Sequence, residues 1–260
     1  MTNADPNATH RLQLSADDSA TVDLGRPLRC GLGEAIYGEG KSAALIAAVA
    51  RSQSDAGQHV LATRVTPQIA SELIRQFPTA IHDTTARTVR IMATQTHQED
   101  AEPDCDTPHV AVITAGSTDA AVAAEAMETL HWAQVPLRQY TDIGVAGPQR
   151  LLERVVEIRC ASAVIVIAGM EGALPSVVAG HVAVPVIAVP TSVGYGANLE
   201  GITPLLSALA SCAPGVTTVG IDAGFKAGYV AALMLRSANQ RSAAQPASAN
   251  RQRVPDGASR

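Results

Sequence analysis

Between residues 110 and 221 five apolar runs alternate with segments of helical spacing, and this alternation constrains the fold more than any other feature of the chain. The runs are Val110 to Thr114, Val135 to Tyr140, Ala163 to Ile167, Pro185 to Val189 and Val216 to Ile221. The segments after them set apolar residues on one helical face: Val122, Ala126, Met127 and Leu130, then Leu151, Leu152, Val155 and Ile158, then Leu174, Val177 and Val178, then Leu205, Leu206 and Leu209, and finally Tyr229, Leu233 and Leu235. Strands that alternate with helices imply right-handed crossovers and a parallel sheet covered on both faces. Such strands read as continuous apolar runs, as these do. The interior must be built from Ala, Val, Leu and Ile, because 47% of residues are hydrophobic while 3% are aromatic. The expected α/β architecture is a doubly wound, mostly parallel five-stranded sheet over residues 109–236.

Upstream the pattern is shorter in range. Ser42 suits the cap of a helix with Leu45, Ile46, Val49 and Ala50 on one face, and Thr66-Pro67 starts another, with proline where its missing N–H costs nothing. Short apolar segments at Ala35 to Tyr37, His59 to Ala62 and Val89 to Met92 complete a small α+β domain over 26–93. Residues 94–108 carry five acids and two prolines and read as a linker. The polar stretches 1–25 and 237–260 read as disordered.

Several classes of function drop out. A net charge of −5 without a basic stripe argues against nucleic acid. No apolar run is long enough to cross a bilayer and the first residues lack a secretory pattern, so neither membrane nor export is expected. Cys30, Cys105, Cys160 and Cys212 are scattered, without CxxC or Cys/His clustering. That speaks against a zinc site or a disulfide framework and for a reducing, cytoplasmic setting.

Ligands of such a sheet bind beyond the carboxyl ends of its strands. Here those ends carry small and polar residues: "TAGSTD" from Thr114, "TDIGVAG" from Thr141, "AGMEG" from Ala168, "PTSVGYG" from Pro190 and "IDAG" from Ile221. Gly116, Ser117, Thr118 and Asp119 suit ribose or phosphate, or are an ordinary helix cap. Glu171 lies between glycines and either projects into the crevice or is a solvated turn acid. Asp142 and Arg150 could orient phosphates or a metal, or form a surface ion pair. Cys212 ends "LLSALASC" and is either a small core residue or a nucleophile. A helix carboxyl end disfavours the thiolate, so a nucleophilic Cys212 needs a cation nearby, which the substrate itself could provide.

Taken in order, "TAGSTDAAVAAEA", "DIGVAGPQRLL", "VIVIAGMEGALPSVVAGHVAVPVIAVPTSVGYGA" and "SCAPGVTTVGIDAGFKAGY" resemble the LarB family, the pyridinium-3,5-biscarboxylic acid mononucleotide synthases of nickel-pincer cofactor biosynthesis. The likeness runs from about Val110 to Arg236, and "IYGEGKSAALIAAVA" with "VLATRV" extends it upstream. It implies a PurE-like, flavodoxin-like domain and a homo-oligomer. It also implies carboxylation of the pyridinium ring of nicotinic acid adenine dinucleotide with release of AMP, carbon dioxide or bicarbonate as co-substrate, and Mg2+ with the diphosphate.

On this resemblance Cys212 is the nucleophile, with Glu171 and Asp142 as the other catalytic residues. Gly116, Ser117, Asp119, Arg150, Gly169, Met170, Gly172, Thr191, Ser192 and Tyr195 bind substrate, and the metal ligands are left unassigned. The chain departs from the family pattern in the order Ser117-Thr118, in keeping only Glu125 of paired acids, in Gln149 where a histidine is common, and in Lys226 where a glycine is usual. The alternatives are a PurE-like aminoimidazole ribonucleotide carboxylase or mutase, and a nucleotide-binding module without catalysis.

Overall fold

The structure is a computed structural model that describes residues 5–15, 18–93 and 102–244, with side chains to 239. The chain opens with an antiparallel hairpin of β1 (Thr9–Gln13) and β2 (Ser19–Asp23), followed by α1 (Arg26–Cys30). A four-stranded sheet comes next, from β3 (Ile36–Tyr37), β4 (Val60–Thr63), β5 (Ile81–Asp83) and β6 (Thr88–Ile91), in the order β3-β4-β6-β5. Its helices are α2 (Ala43–Asp55), capped by Ser42 Oγ accepting from Leu45 N at 3.0 Å, and α3 (Pro67–Gln76), capped by Thr66.

The second unit alternates as expected. Its elements are β7 (Val110–Thr114), α4 (Ala120–Trp132), β8 (Leu137–Tyr140), α5 (Pro148–Leu152), α6 (Val155–Ile158), β9 (Ala163–Ala168), α7 (Leu174–Ala179), β10 (Val186–Pro190), α8 (Ile202–Leu209), β11 (Val216–Thr218) and α9 (Gly224–Ala244). The five strands are all parallel, in the order β11-β10-β9-β7-β8. Residues alternate between two cores: Val110, Val112, Ile165 and Ile167 face α4 and α9, while Ala111, Ile113, Val164 and Val166 face α5 to α7. This two-sided burial is why the strands read as unbroken apolar runs.

Helix α4 serves both sheets. Leu61 of β4 joins the core of α4 and α9, whereas its neighbours Val60 and Ala62 pack with α2 and α3. Trp132 Nε1 donates to His59 O at 2.9 Å, and Arg90 pairs with Glu128 at 3.0 Å across the same seam.

Three expectations are corrected. Thr9–Gln13 and Ser19–Asp23 pair as a hairpin, where a disordered start was expected. Polar composition hid it: Val22 is buried, Leu12 and Ala20 pack only partly against the same core, and His10 Nδ1 is held by Ser52 Oγ at 2.7 Å. Helix α9 runs past residue 237 to Ala244, since no glycine or proline stands between Gly228 and Pro246 to stop it. The expectation of disorder over 1–4 and 245–260, and the linker over 94–101, lie outside the described residues.

The third correction is chemical: Cys105 and Cys160 form a disulfide, with Cα atoms 4.8 Å apart. Their separation of 55 residues gave no hint of proximity. Arg138 of β8 ion-pairs with Glu102 at 3.3 Å and Glu157 at 3.2 Å, which holds the two segments side by side. With this disulfide, the scattered cysteines no longer point to a reducing compartment. Among the described residues no helix is long and apolar enough to cross a membrane.

Candidate functional site

The strand order changes direction at β7, which has β8 on one side and β9 on the other. At such a point the crossovers leave to opposite faces and a crevice opens beyond the strand ends. A cavity of about 210 Å³ lies there, walled by the loops after β7, β8 and β9. Gly116, Thr118, Asp119, Gly144, Arg150, Gly169, Met170, Glu171 and Val193 contribute to its lining.

Close backbone approach shapes the wall. A Cβ on Gly169 would stand 2.1 Å from Val193 O, so only glycine lets the loops after β9 and β10 touch. Met170 N donates to Val193 O at 2.9 Å, and Asn198 Nδ2 donates to Met170 O at 3.1 Å and to Val193 O at 3.3 Å. Asn198 is 5% exposed and its Oδ1 accepts from Gly201 N at 2.9 Å. This buried pin was not among the residues singled out from sequence; an asparagine in a Gly-rich loop carries no signal of what it will bridge.

Asp119 is buried, with Oδ2 accepting from Gly116 N at 3.0 Å and Oδ1 from Thr191 Oγ1 at 2.9 Å. Burial pushes its carboxyl above the ordinary range, and those hydrogen bonds partly oppose the shift. It therefore both braces the first loop and presents to the crevice. Thr191 is buried beneath it and does not line the cavity, while Ser117 and Tyr195 are exposed outside it. Of the hydroxyl pair in this loop, Thr118 lines the cavity and Ser117 does not.

Glu171 is exposed on the crevice wall, and its carboxylate has no hydrogen bond or ion pair among the described residues. Asp142 ion-pairs with Arg150 at 2.8 Å, and both side chains are substantially exposed. The surface ion pair is thus present, with Arg150 also facing the crevice. Gly172 is buried behind the wall. No group of three or more His, Cys, Asp or Glu suited to a metal occurs among the described residues. Magnesium needs only one or two carboxylates beside phosphate oxygens, and Glu171 has its carboxylate available for that.

Cys212 is free and exposed, which removes the core-residue alternative. It does not line the crevice. It lies between α8 and β11, and β11 begins opposite Val186, the first residue of β10. The thiol is therefore at the amino edge of the sheet, while Glu171 is at the carboxyl edge. The expectation that both meet in one cleft fails within a single chain, because a crossover helix returns the chain to the far edge before each new strand.

A second cavity of about 250 Å³ adjoins the first, sharing Thr118 and Val193. Arg64, Arg87, Glu125, Ser192 and Asp222 line it. Arg64 Nε and Nη2 donate to Glu125 at 2.9 and 3.3 Å, and Nη2 also donates to Asp222 O at 2.8 Å. Asp222 Oδ1 accepts from Ser192 N at 2.9 Å. No local pattern links Arg64, Arg87 and Asp222, which come to this cavity from distant parts of the chain.

Comparison with known proteins matches residues 14–95 to the LarB/PurE-like N-terminal domain and residues 109–254 to AIR carboxylase. An uncharacterized protein of Methanocaldococcus jannaschii is 36% identical over 227 residues, 85% of each chain. The N5-carboxyaminoimidazole ribonucleotide mutase of the same organism is 35% identical over 127 residues, 47% of this chain and 75% of that one. A Treponema denticola PurE2 variant matches in structure at 18% identity and a TM-score of 0.41, over 53% of this chain and 92% of that one.

Proposed function

The chain belongs to the AIR carboxylase (PurE-like) family, in the form that carries a LarB/PurE-like N-terminal domain, and on that basis we propose that it carboxylates a pyridinium mononucleotide unit. The substrate in this reading is nicotinic acid adenine dinucleotide, and the products are pyridinium-3,5-biscarboxylic acid mononucleotide and AMP. The observation that carries the reading is an exposed free thiol at Cys212 together with a sheet-edge crevice holding an unpartnered carboxylate at Glu171.

The chemistry requires a nucleophile because a pyridinium ring is electron-poor and does not attack carbon dioxide. The Cys212 thiolate adds to the ring carbon beside the free meta position, and the ring becomes an enamine. The enamine carbon forms the new C–C bond to carbon dioxide. Glu171 then accepts the proton from that carbon, and expulsion of the thiolate restores aromaticity. Separately, water attacks the phosphoanhydride and AMP leaves. The positive ring offsets the unfavourable helix end at Cys212 and stabilises its thiolate.

Since Cys212 and Glu171 stand at opposite sheet edges, this reading takes the thiol from a neighbouring copy of the chain. Leu199, Ile202, Leu206 and Leu209 support such an assembly: they recur at helical spacing along α8 and its approach and are 42–65% exposed. Magnesium, when bound with the diphosphate, would be held by phosphate oxygens and would neutralise charge on the leaving phosphate, which leaves the Glu171 carboxylate for the ring proton.

The test is to incubate the purified protein with nicotinic acid adenine dinucleotide, bicarbonate and magnesium, and to follow AMP and the dicarboxylated mononucleotide by mass spectrometry. Cys212→Ala should retain dinucleotide binding and form no carboxylated product. Mixing inactive Cys212→Ala with inactive Glu171→Gln should restore partial activity, since mixed assemblies contain some intact sites. Folded wild type that yields neither product refutes the reading. Turnover of N5-carboxyaminoimidazole ribonucleotide instead would favour the activity named for the archaeal mutase relative.

A further inference from the structure

Neither cavity alone is large enough for a dinucleotide. At about 210 and 250 Å³ each falls below the roughly 300–1,000 Å³ of ligand pockets, and joined across Thr118 and Val193 they enter that range. The chemistry of the two differs. The crevice holds Glu171, Asp119 and one arginine, Arg150, which is paired with Asp142, whereas the second cavity holds two arginines from loops of the amino-terminal sheet.

Those arginines are not equivalent. Arg64 is committed to Glu125 and to the Asp222 carbonyl. Arg87 has no side-chain partner among the described residues, so its charge is available to a ligand. Asp222 has one carboxylate oxygen engaged by Ser192 N and the other open to a hydroxyl donor. Arg64, Arg87 and Asp222 all hold left-handed backbone, at φ 55°, 56° and 52°. Non-glycine residues pay for that conformation, and they gather where a site demands a fixed side-chain direction.

We infer that the second cavity is the subsite for the adenylate half of the dinucleotide, with Arg87 binding its phosphate and Asp222 a ribose hydroxyl. The inference rests on the function proposed above. It assigns the amino-terminal domain a direct role: it supplies the cation that holds the leaving nucleotide, while the ring to be carboxylated stays beside Glu171.

The test is calorimetric titration of the full chain with AMP and, separately, with nicotinic acid mononucleotide. Arg87→Gln should weaken AMP binding roughly tenfold, the loss expected for one charge-assisted phosphate contact, and leave the mononucleotide within about twofold. Arg87→Lys should recover part of the loss. Wild type without measurable AMP affinity, unchanged AMP affinity in Arg87→Gln, or equal loss for both ligands would each overturn the subsite. If wild type carboxylates the dinucleotide while AMP ignores Arg87, the subsite fails and the function stands. If AMP binding depends on Arg87 but no carboxylated product forms, the function fails and the anion subsite stands.

Discussion

Arg64 and Glu125 lie 61 residues apart in sequence and close into a two-pronged ion pair, at 2.9 and 3.3 Å, that ties the four-stranded sheet to helix α4. Glu125 is 4% exposed in its side chain and Arg64 34%. Phe225 N also donates to Glu125 Oε2 at 3.2 Å, so one carboxylate braces three elements. Removing the arginine strands a buried charge. Arg64→Met should therefore cost about 2 kcal/mol in urea unfolding, less than for a fully buried pair because Arg64 is partly solvated. The double variant Arg64→Met with Glu125→Met should recover much of the loss. A single variant as stable as wild type would show that the pair does not join the two units in solution.

Gly169→Ala tests the backbone contact that forms the crevice wall. Its Cβ would meet Val193 O, which cannot move without releasing Met170 N and Asn198. Stability should fall by about 2–3 kcal/mol, and dinucleotide binding should fall with it. Gly215→Ala is the control, since nothing lies within 4 Å of its added carbon.

Asp119 should give an unusual pH signature. Burial raises its folded pKa above that of the unfolded chain, so the folded state holds the proton more tightly. Its contribution to stability is complete below the unfolded carboxylate pKa and is lost as pH rises through the raised folded pKa. Melting temperatures of wild type and Asp119→Asn, measured as pH falls from neutrality to the unfolded carboxylate value, should thus diverge in favour of wild type. A constant difference would mean that the carboxyl is not perturbed.

The Cys105–Cys160 bond closes a long loop between the start of the second unit and the end of α6. Loop-closure entropy assigns such a bond about 4 kcal/mol. Denatured, unreduced protein should titrate with two thiols, Cys30 and Cys212, and Cys160→Ser should melt at lower temperature. Four thiols in protein purified without reductant would contradict the bond.

The sequence by itself determined the five strands of the parallel sheet, the helices between them, the two capped helices upstream and the places where loops would be lined with glycine. Periodicity and capping are local properties: Val110–Thr114 is buried on both faces and says so in five consecutive residues, and Ser42 accepts from Leu45 N, three residues on, to cap the helix that begins at Ala43. It also identified Gly169 and Glu171 as loop residues at a strand's carboxyl end. Which loops would meet was decided by the order β11-β10-β9-β7-β8, which sets the crevice between the loops after β7 and β9 and sends Cys212 to the far edge. The same holds for Arg64 on Glu125, Asn198 on Met170 and Cys105 on Cys160. Each pair is joined by packing of elements distant in the chain, and a local pattern of side chains carries no information about such distances.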